Sequence, residues 1–200
     1  MLRRAILGGE YSPGEKLSAE RLAEQWGVSP TPVRETFQRL AGQGLVVIEP
    51  QRGARVAPIG VDDAVEIYEL RLLLDPVALQ RSMTAGEGDA EYAAEVERAH
   101  QRLRGRHDSL AAYHEAHRAF HLSIVSRCPN QRLLGEVADL LEHSQRFHLV
   151  GAGMARRGDP GGEHRALCEA VVAGDRRTAV AVLKRHLRGT LDAVLAVRPC

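Results

Sequence analysis

The chain has 200 residues, enough for one large or two small domains with a sizeable core. Its formal net charge of +1 excludes a blanket polyanion binder, since residues 1–60 carry 8 basic against 6 acidic side chains and the remainder 19 against 20. Cys128, Cys168 and Cys200 are an odd, scattered set that excludes a disulfide framework, and no signal-peptide pattern or membrane-spanning apolar run is present, so a cytoplasmic protein without membrane association is expected.

In chain order, residues 1–7 read as the end of a helix and 8–17 as a loop around Pro13-Gly14. Residues 18–45 hold two short amphipathic segments, with Leu22, Ala23 and Trp26 at helical spacing in the first and Val33, Phe37 and Leu40 in the second. Ser18 stands where an N-cap belongs and Gly27 where a helix ends in a left-handed residue. Ser29 is placed to cap the second helix, and Pro30 suits its first position, where no amide hydrogen is needed. Two helices joined by so short a turn make either a helix-turn-helix or an ordinary αα-corner, and spacing alone does not separate them. Residues 45–49 (LVVIE) and 54–57 (ARVA) are β-prone runs around Pro50-Gln51-Arg52-Gly53, which predicts a hairpin carrying Arg52 and Arg55. Helix, turn, helix and hairpin together have the layout of a winged helix. Residues 58–61 form the linker, with domains expected at 1–60 and 61–200.

Beyond the linker the pattern changes to long helices. Asp62 starts one through about Thr84, which Pro76 is expected to kink or divide. Further helices are expected over 87–105, 108–127, 130–150, 163–173 and 175–197, with a Gly- and Arg-rich loop at 151–162. The fold class is therefore mainly α: an N-terminal winged helix-turn-helix followed by an antiparallel all-α bundle.

The first sixty residues carry Pro13-Gly14-Glu15-Lys16-Leu17, Leu22-Ala23, Gly27-Val28-Ser29, Thr31-Pro32-Val33-Arg34-Glu35, Gly44-Leu45-Val46 and Gly53-Ala54-Arg55-Val56. In this order and spacing they resemble the N-terminal domain of GntR-family bacterial transcription regulators. Winged domains of that family begin several residues earlier, so the start at Met1 is expected to be truncated or misassigned. The resemblance implies a homodimer that sets two recognition helices, at residues 29–40, in successive major grooves of a pseudo-palindromic double-stranded operator. Arg34 is the candidate base contact, because a guanidinium offers two donors to the O6 and N7 of guanine. Ser29, Thr31, Arg52, Gly53 and Arg55 would hold phosphates or the groove edge. Pro30 stands where many members have Arg, and Glu20-Arg21 lies one step from the family's acidic-basic pair.

Nine histidines invite a metal question. His117 and His121 share a helix face at i and i+4, and His164 and His186 sit on two later helices, an arrangement that fits either a shared ion or ordinary polar positions. Residues 62–197 resemble the FCD ligand-binding domain of the FadR subfamily. That resemblance rests on Tyr68-Glu69-Leu70-Arg71 with Leu74-Asp75-Pro76, Phe120-His121, Asn130, His164 with Ala170, Gly174-Asp175 and His186-Leu187. It implies a divalent metal held by one Asp and three His. By position the three are His121, His164 and His186, and the Asp position is His117 here. Either His117 ligates and the set is four nitrogens, or a three-His site remains. Four nitrogens suit zinc first and nickel next. A small carboxylate effector would complete the coordination, with Arg71 and Arg146 as its candidate partners. His114, on nearly the same stripe, reads as a surface residue rather than a partner supporting the ligands, and Cys168, one turn after His164, as a small buried hydrophobe rather than a thiolate ligand. A second reading, a metal-dependent hydrolase with a His-rich site, lacks a motif supplying a general base.

Overall fold

In the computed structural model, which describes residues 1–50, 52–147 and 162–196, the chain divides into two compact units, Met1–Gly60 and Val61–Cys200. In the first unit, α1 (Leu2–Leu7) buries Leu2, Ile6 and Leu7 in one core with Leu22, Phe37 and Leu40. β1 (Lys16–Leu17) leads into α2 (Ala19–Trp26), where the Ser18 hydroxyl accepts the Arg21 amide at 3.2 Å and Gly27 closes the helix at φ 66°. That left-handed residue costs little only because it is glycine. α3 (Pro30–Gly42) places Val33, Phe37 and Leu40 in the core. Ser29 occupies its N-cap position, but its side chain makes no capping bond, contrary to expectation. A capping hydroxyl serves the second or third helical amide, and Pro32, third in this helix, has none, which halves the partners open to Ser29.

β2 (Val46–Glu49) and β3 (Gly53–Val56) form the expected hairpin, in register Val46↔Val56 through Glu49↔Gly53. β1 pairs with the far side of β3, Leu17 opposite Ala54, giving the order β1-β3-β2. The segment read as a loop thus ends in a strand. At two residues it is too short to show alternation.

The second unit is all helix among the described residues: α4 (Val61–Ala85), α5 (Ala90–Arg104), α6 (Leu110–Ser123), α7 (Gln131–Gln145), α8 (Glu163–Val172) and α9 (Arg176–Ala196). α4 packs on α7 and α9, α8 on α9 and α5, and α5 on α6. The shared core includes Tyr68, Leu79, Val96, Phe120, Leu141, Leu167, Leu183 and Leu187.

Several boundaries differ from the sequence reading, the start of α4 among them, since it begins at Val61 and takes Asp62 into its first turn. α4 runs unbroken through Pro76, which is buried inside it. Proline removes one ladder hydrogen bond, and the packing of the helix on two neighbours outweighs that local loss. α5 starts at Ala90 rather than 87, because Asp89 takes the Glu91 and Tyr92 amides and Gly88 turns the chain at φ 78°. α6 starts after Ser109 and stops at Ser123, whose hydroxyl donates back to the Phe120 carbonyl at 2.7 Å. Asn130 and Asp175 sit at their cap positions as expected, accepting the Leu133 and Thr178 amides. α7 ends at Gln145 with Arg146 as its C-cap, short of the expected 150, while residues 148–150, nearly all of the 151–162 loop, Val197 and Cys200 lie outside the described residues.

Candidate DNA-reading face and metal centre

α3 turns Val33, Phe37 and Leu40 inward, so Thr31, Arg34, Glu35 and Gln38 stand exposed on the opposite face. Ser29 is exposed at its N-terminus, and Arg52 and Gly53 are exposed on the hairpin, with Gly53 at φ 93°. A groove of ≈ 520 Å³ runs between them, lined by Glu20, Arg34, Gln38, Glu49, Arg52 and Gly53. The Arg34 guanidinium donates to Glu20 at 2.7 Å, with both side chains 66 % exposed. An ion pair so exposed contributes little, so a stronger acceptor can displace Glu20. Arg55 is half-buried, donates to Glu49 at 3.0 Å and lies close to the Gly14 carbonyl. Its guanidinium therefore braces the sheet as well as facing the hairpin. Glu20 and Gln38 were missed from the sequence. Gln38 had a signal, standing one turn after Arg34.

In the second unit, His117 and His121 on α6, His164 in the first turn of α8 and His186 on α9 converge. One nitrogen from each lies within 4.8 Å of all the others, and three of the four residues are buried. Ring centroids are 4.4 Å apart for His117–His121 and 4.6 Å for His164–His186. Nitrogens bound at about 2.1 Å to one ion stand at most roughly 4.2 Å apart, so a small inward rotation of the rings closes the set. A buried group of four imidazoles is a donor set for a borderline transition ion.

The Glu163 carboxylate supplies what sequence reasoning missed. Its Oε2 lies 3.1 Å from His186 Nδ1, and its Oε1 accepts from Arg185 Nε at 3.2 Å. The His186 bond, aided by Arg185, holds Glu163 below the usual carboxylate range despite burial. An ionised Glu163 makes Nδ1 the protonated nitrogen and leaves Nε2 as the free electron pair. Burial pushes His186 down, and the His164 and Arg71 charges act in the same direction, against the pull of Glu163. The imidazole is thus neutral, as a metal ligand must be.

The two candidate effector arginines are both buried. Arg71 spends its donors on Asp75 Oδ2, at 3.0 and 2.8 Å, and on the Ser144 hydroxyl at 2.9 Å. Its charge still reaches His186. Arg146 follows α7, and burial lowers its pKa against the charge of Asp63. His114 is buried rather than on the surface, and burial lowers its pKa. The correction follows from helix geometry: His114 stands two turns before His121 on nearly the same stripe of α6, so the face that buries His117 and His121 buries it as well. Cys168 is buried, and its thiol is pushed up to about 11, mainly by burial and then by the charges of Glu97 and Glu169. Among the described residues no helix is long and apolar enough to cross a membrane.

Residues 66–189 match the FCD domain family and residues 1–56 match bacterial regulatory proteins of the gntR family. An uncharacterized HTH-type transcriptional regulator from an unstable DNA locus of Streptomyces ambofaciens is 30% identical, covering 98% of this chain and 83% of its own. The HTH-type transcriptional repressor GlaR of Escherichia coli is 26% identical over 93% of this chain and 89% of its own. A solved structure of a GntR regulator from Rhodococcus shares the fold at a TM-score of 0.86, with 23% identity over 99% of this chain and 95% of that one. None of this supports the hydrolase reading. With both families matched in this order and transcriptional regulators aligned over most of their length, the chain belongs to the gntR family of bacterial regulatory proteins and is a transcription regulator, not an enzyme.

Proposed function

We infer that this regulator is a repressor of the FadR subfamily that binds operator DNA as a homodimer in the cytoplasm and responds to a small carboxylate. Residues 1–60 form the DNA-binding domain and 61–200 the effector, metal and dimerisation domain. The exposed α3 face supports the first assignment. Arg34 gives up Glu20 for the O6 and N7 of a guanine, while Ser29, Thr31, Arg52, Gly53 and Arg55 hold phosphates or the groove edge. A single winged domain buries too little DNA for operator-level affinity, which favours two copies on a pseudo-palindrome.

The convergence of His117, His121, His164 and His186 from three helices carries the metal reading. These residues would hold a divalent ion, zinc first and nickel next, since the set has no carboxylate to favour manganese or magnesium. When bound, the ion supplies an uncompensated positive centre for an anionic effector. Glu163 orients His186, Arg146 offers a buried cationic partner, and Arg71, held by Asp75 and Ser144, acts on the effector through its field.

The decisive experiment pairs DNA titrations with metal analysis of untagged protein. Arg34→Ala should lose about 1–3 kcal/mol of discrimination at one base pair, and Arg52→Ala should weaken all sequences alike and flatten the salt dependence. Equal weakening of operator and random DNA by Arg34→Ala would make Arg34 a phosphate contact. The metal reading fails if the parent carries no stoichiometric transition metal and His121→Ala changes neither thermal stability nor effector response. A shift toward manganese in His117→Asp identifies His117 as a ligand.

A further inference from the structure

A duplex presents phosphates, so a carboxylate on the face that meets it is unfavourable unless something there receives it. Glu20, in the first turn of α2, is such a carboxylate, lining the groove beside Arg34, Gln38 and Arg52. Stability does not explain it, because its ion pair with Arg34 is 66 % exposed on both sides. Yet both of its oxygens are held. Oε1 accepts from Arg34 Nη2 at 2.7 Å and Oε2 from the Ser18 hydroxyl at 3.2 Å, while the Ser18 oxygen itself accepts the Arg21 amide. Its own backbone amide first, then Arg34 and Ser18, hold Glu20 below the usual carboxylate range, so it stays ionised and acts only as an acceptor.

Together the two side chains present a row of donors that ends in an acceptor. Bound to Glu20 through one nitrogen, the Arg34 guanidinium keeps its remaining N–H donors for a base. In the major groove a G·C pair shows N7 and O6 as acceptors, followed by the N4 amino donor of cytosine, which is the complement of that row. An A·T pair shows acceptor, donor, acceptor and does not fit it. The spacing agrees as well. O6 and N4 are hydrogen-bonded across the base pair and stand about 2.9 Å apart, against 2.7 Å between Nη2 and Oε1. As Arg34 turns its fork onto N7 and O6, the Glu20 oxygen is left beside N4.

We propose that Glu20 is a specificity-determining residue that reads the cytosine of the same G·C pair whose guanine Arg34 reads, its Oε1 accepting the free N4 hydrogen. This rests on the base contact assigned to Arg34 above and adds a reader for the second strand. N4-methylcytosine tests it, since opposite guanine it keeps the base pair and both guanine acceptors but puts a methyl group where the free amino hydrogen stood. The full chain first selects its preferred duplex from a random pool, and the position at which Arg34→Ala loses its guanine preference marks the base pair. Fluorescence anisotropy then compares that duplex with its N4-methylcytosine form. The parent should bind the methylated duplex roughly tenfold more weakly, a typical loss for one unmet base contact, and Glu20→Ala should bind both forms alike. A parent indifferent to the methyl group overturns the role of Glu20, and that measurement needs no variant to fold. A Glu20→Ala protein that keeps the parent's tenfold loss overturns it too, because the methyl group then meets some other residue. If Arg34→Ala weakens every duplex alike, Arg34 meets phosphate, and its assignment falls together with this one.

Discussion

At the residue scale, the four histidines were legible because i and i+4 positions show in a sequence and the resemblance supplied the other two. Glu163 was not, because its partner His186 is 23 residues away and an acid in a first helical turn needs no further explanation. The Arg34–Glu20 pair, 14 residues apart, was hidden in the same way. Glu163→Ala should weaken metal binding by about 10–100-fold in a chelator competition, because the His186 ring loses the partner that fixes its orientation and tautomer. Glu163→Gln, which keeps an acceptor and loses the charge, should fall between it and the parent. An affinity unchanged in both variants would remove Glu163 from the metal reading. Cys168 gives a simpler check. With its thiol pushed up to about 11, only about one molecule in a thousand holds the reactive thiolate at pH 8. Cys168 should therefore resist alkylation in native protein and react on unfolding, as peptide mapping would show. Rapid native labelling would mean the site opens.

At the element scale, caps and turns were the most readable features, since Ser18, Gly27, Asn130 and Asp175 act through neighbours within four residues. What escaped depends on distant partners: β1 exists only because β3 lies beside it, and α4 passes Pro76 only because its flanks are packed. The two serines of the helix-turn-helix separate a cap in sequence from a cap in structure. Ser18→Ala should cost about 0.5–2 kcal/mol, because the Arg21 amide loses its acceptor. Ser29→Ala should cost much less, since no capping bond is lost there. Amide exchange in α2 and α3, read beside the thermal transition of each variant, checks the contrast, and equal effects would contradict it.

For the whole molecule, the order of a helix-turn-helix with its hairpin and then a helical bundle was legible from the change of period near residue 60, where the structure also divides the chain. The convergence of α6, α8 and α9 on one point was legible only through the resemblance, because no local pattern states which helices adjoin. Those histidines span residues 117 to 186, so the unfolded chain offers no assembled site. A metal that binds only the folded form adds about 2.7 kcal/mol at a hundredfold excess over its dissociation constant. Dialysis against a chelator should thus lower the melting temperature, zinc should restore it, and His121→Ala should make both treatments silent. A melting temperature indifferent to chelator in the parent would deny a folding-coupled ion. One further consequence follows from α4 itself. Arg71, tied inward to Asp75 and Ser144, lies between Leu70 and Leu73 on the same rod, each step about 1.5 Å along the axis. Such a rod behaves as a crankshaft: it cannot turn to accommodate a guest beside Arg71 without swinging the leucines through the same angle on the other side.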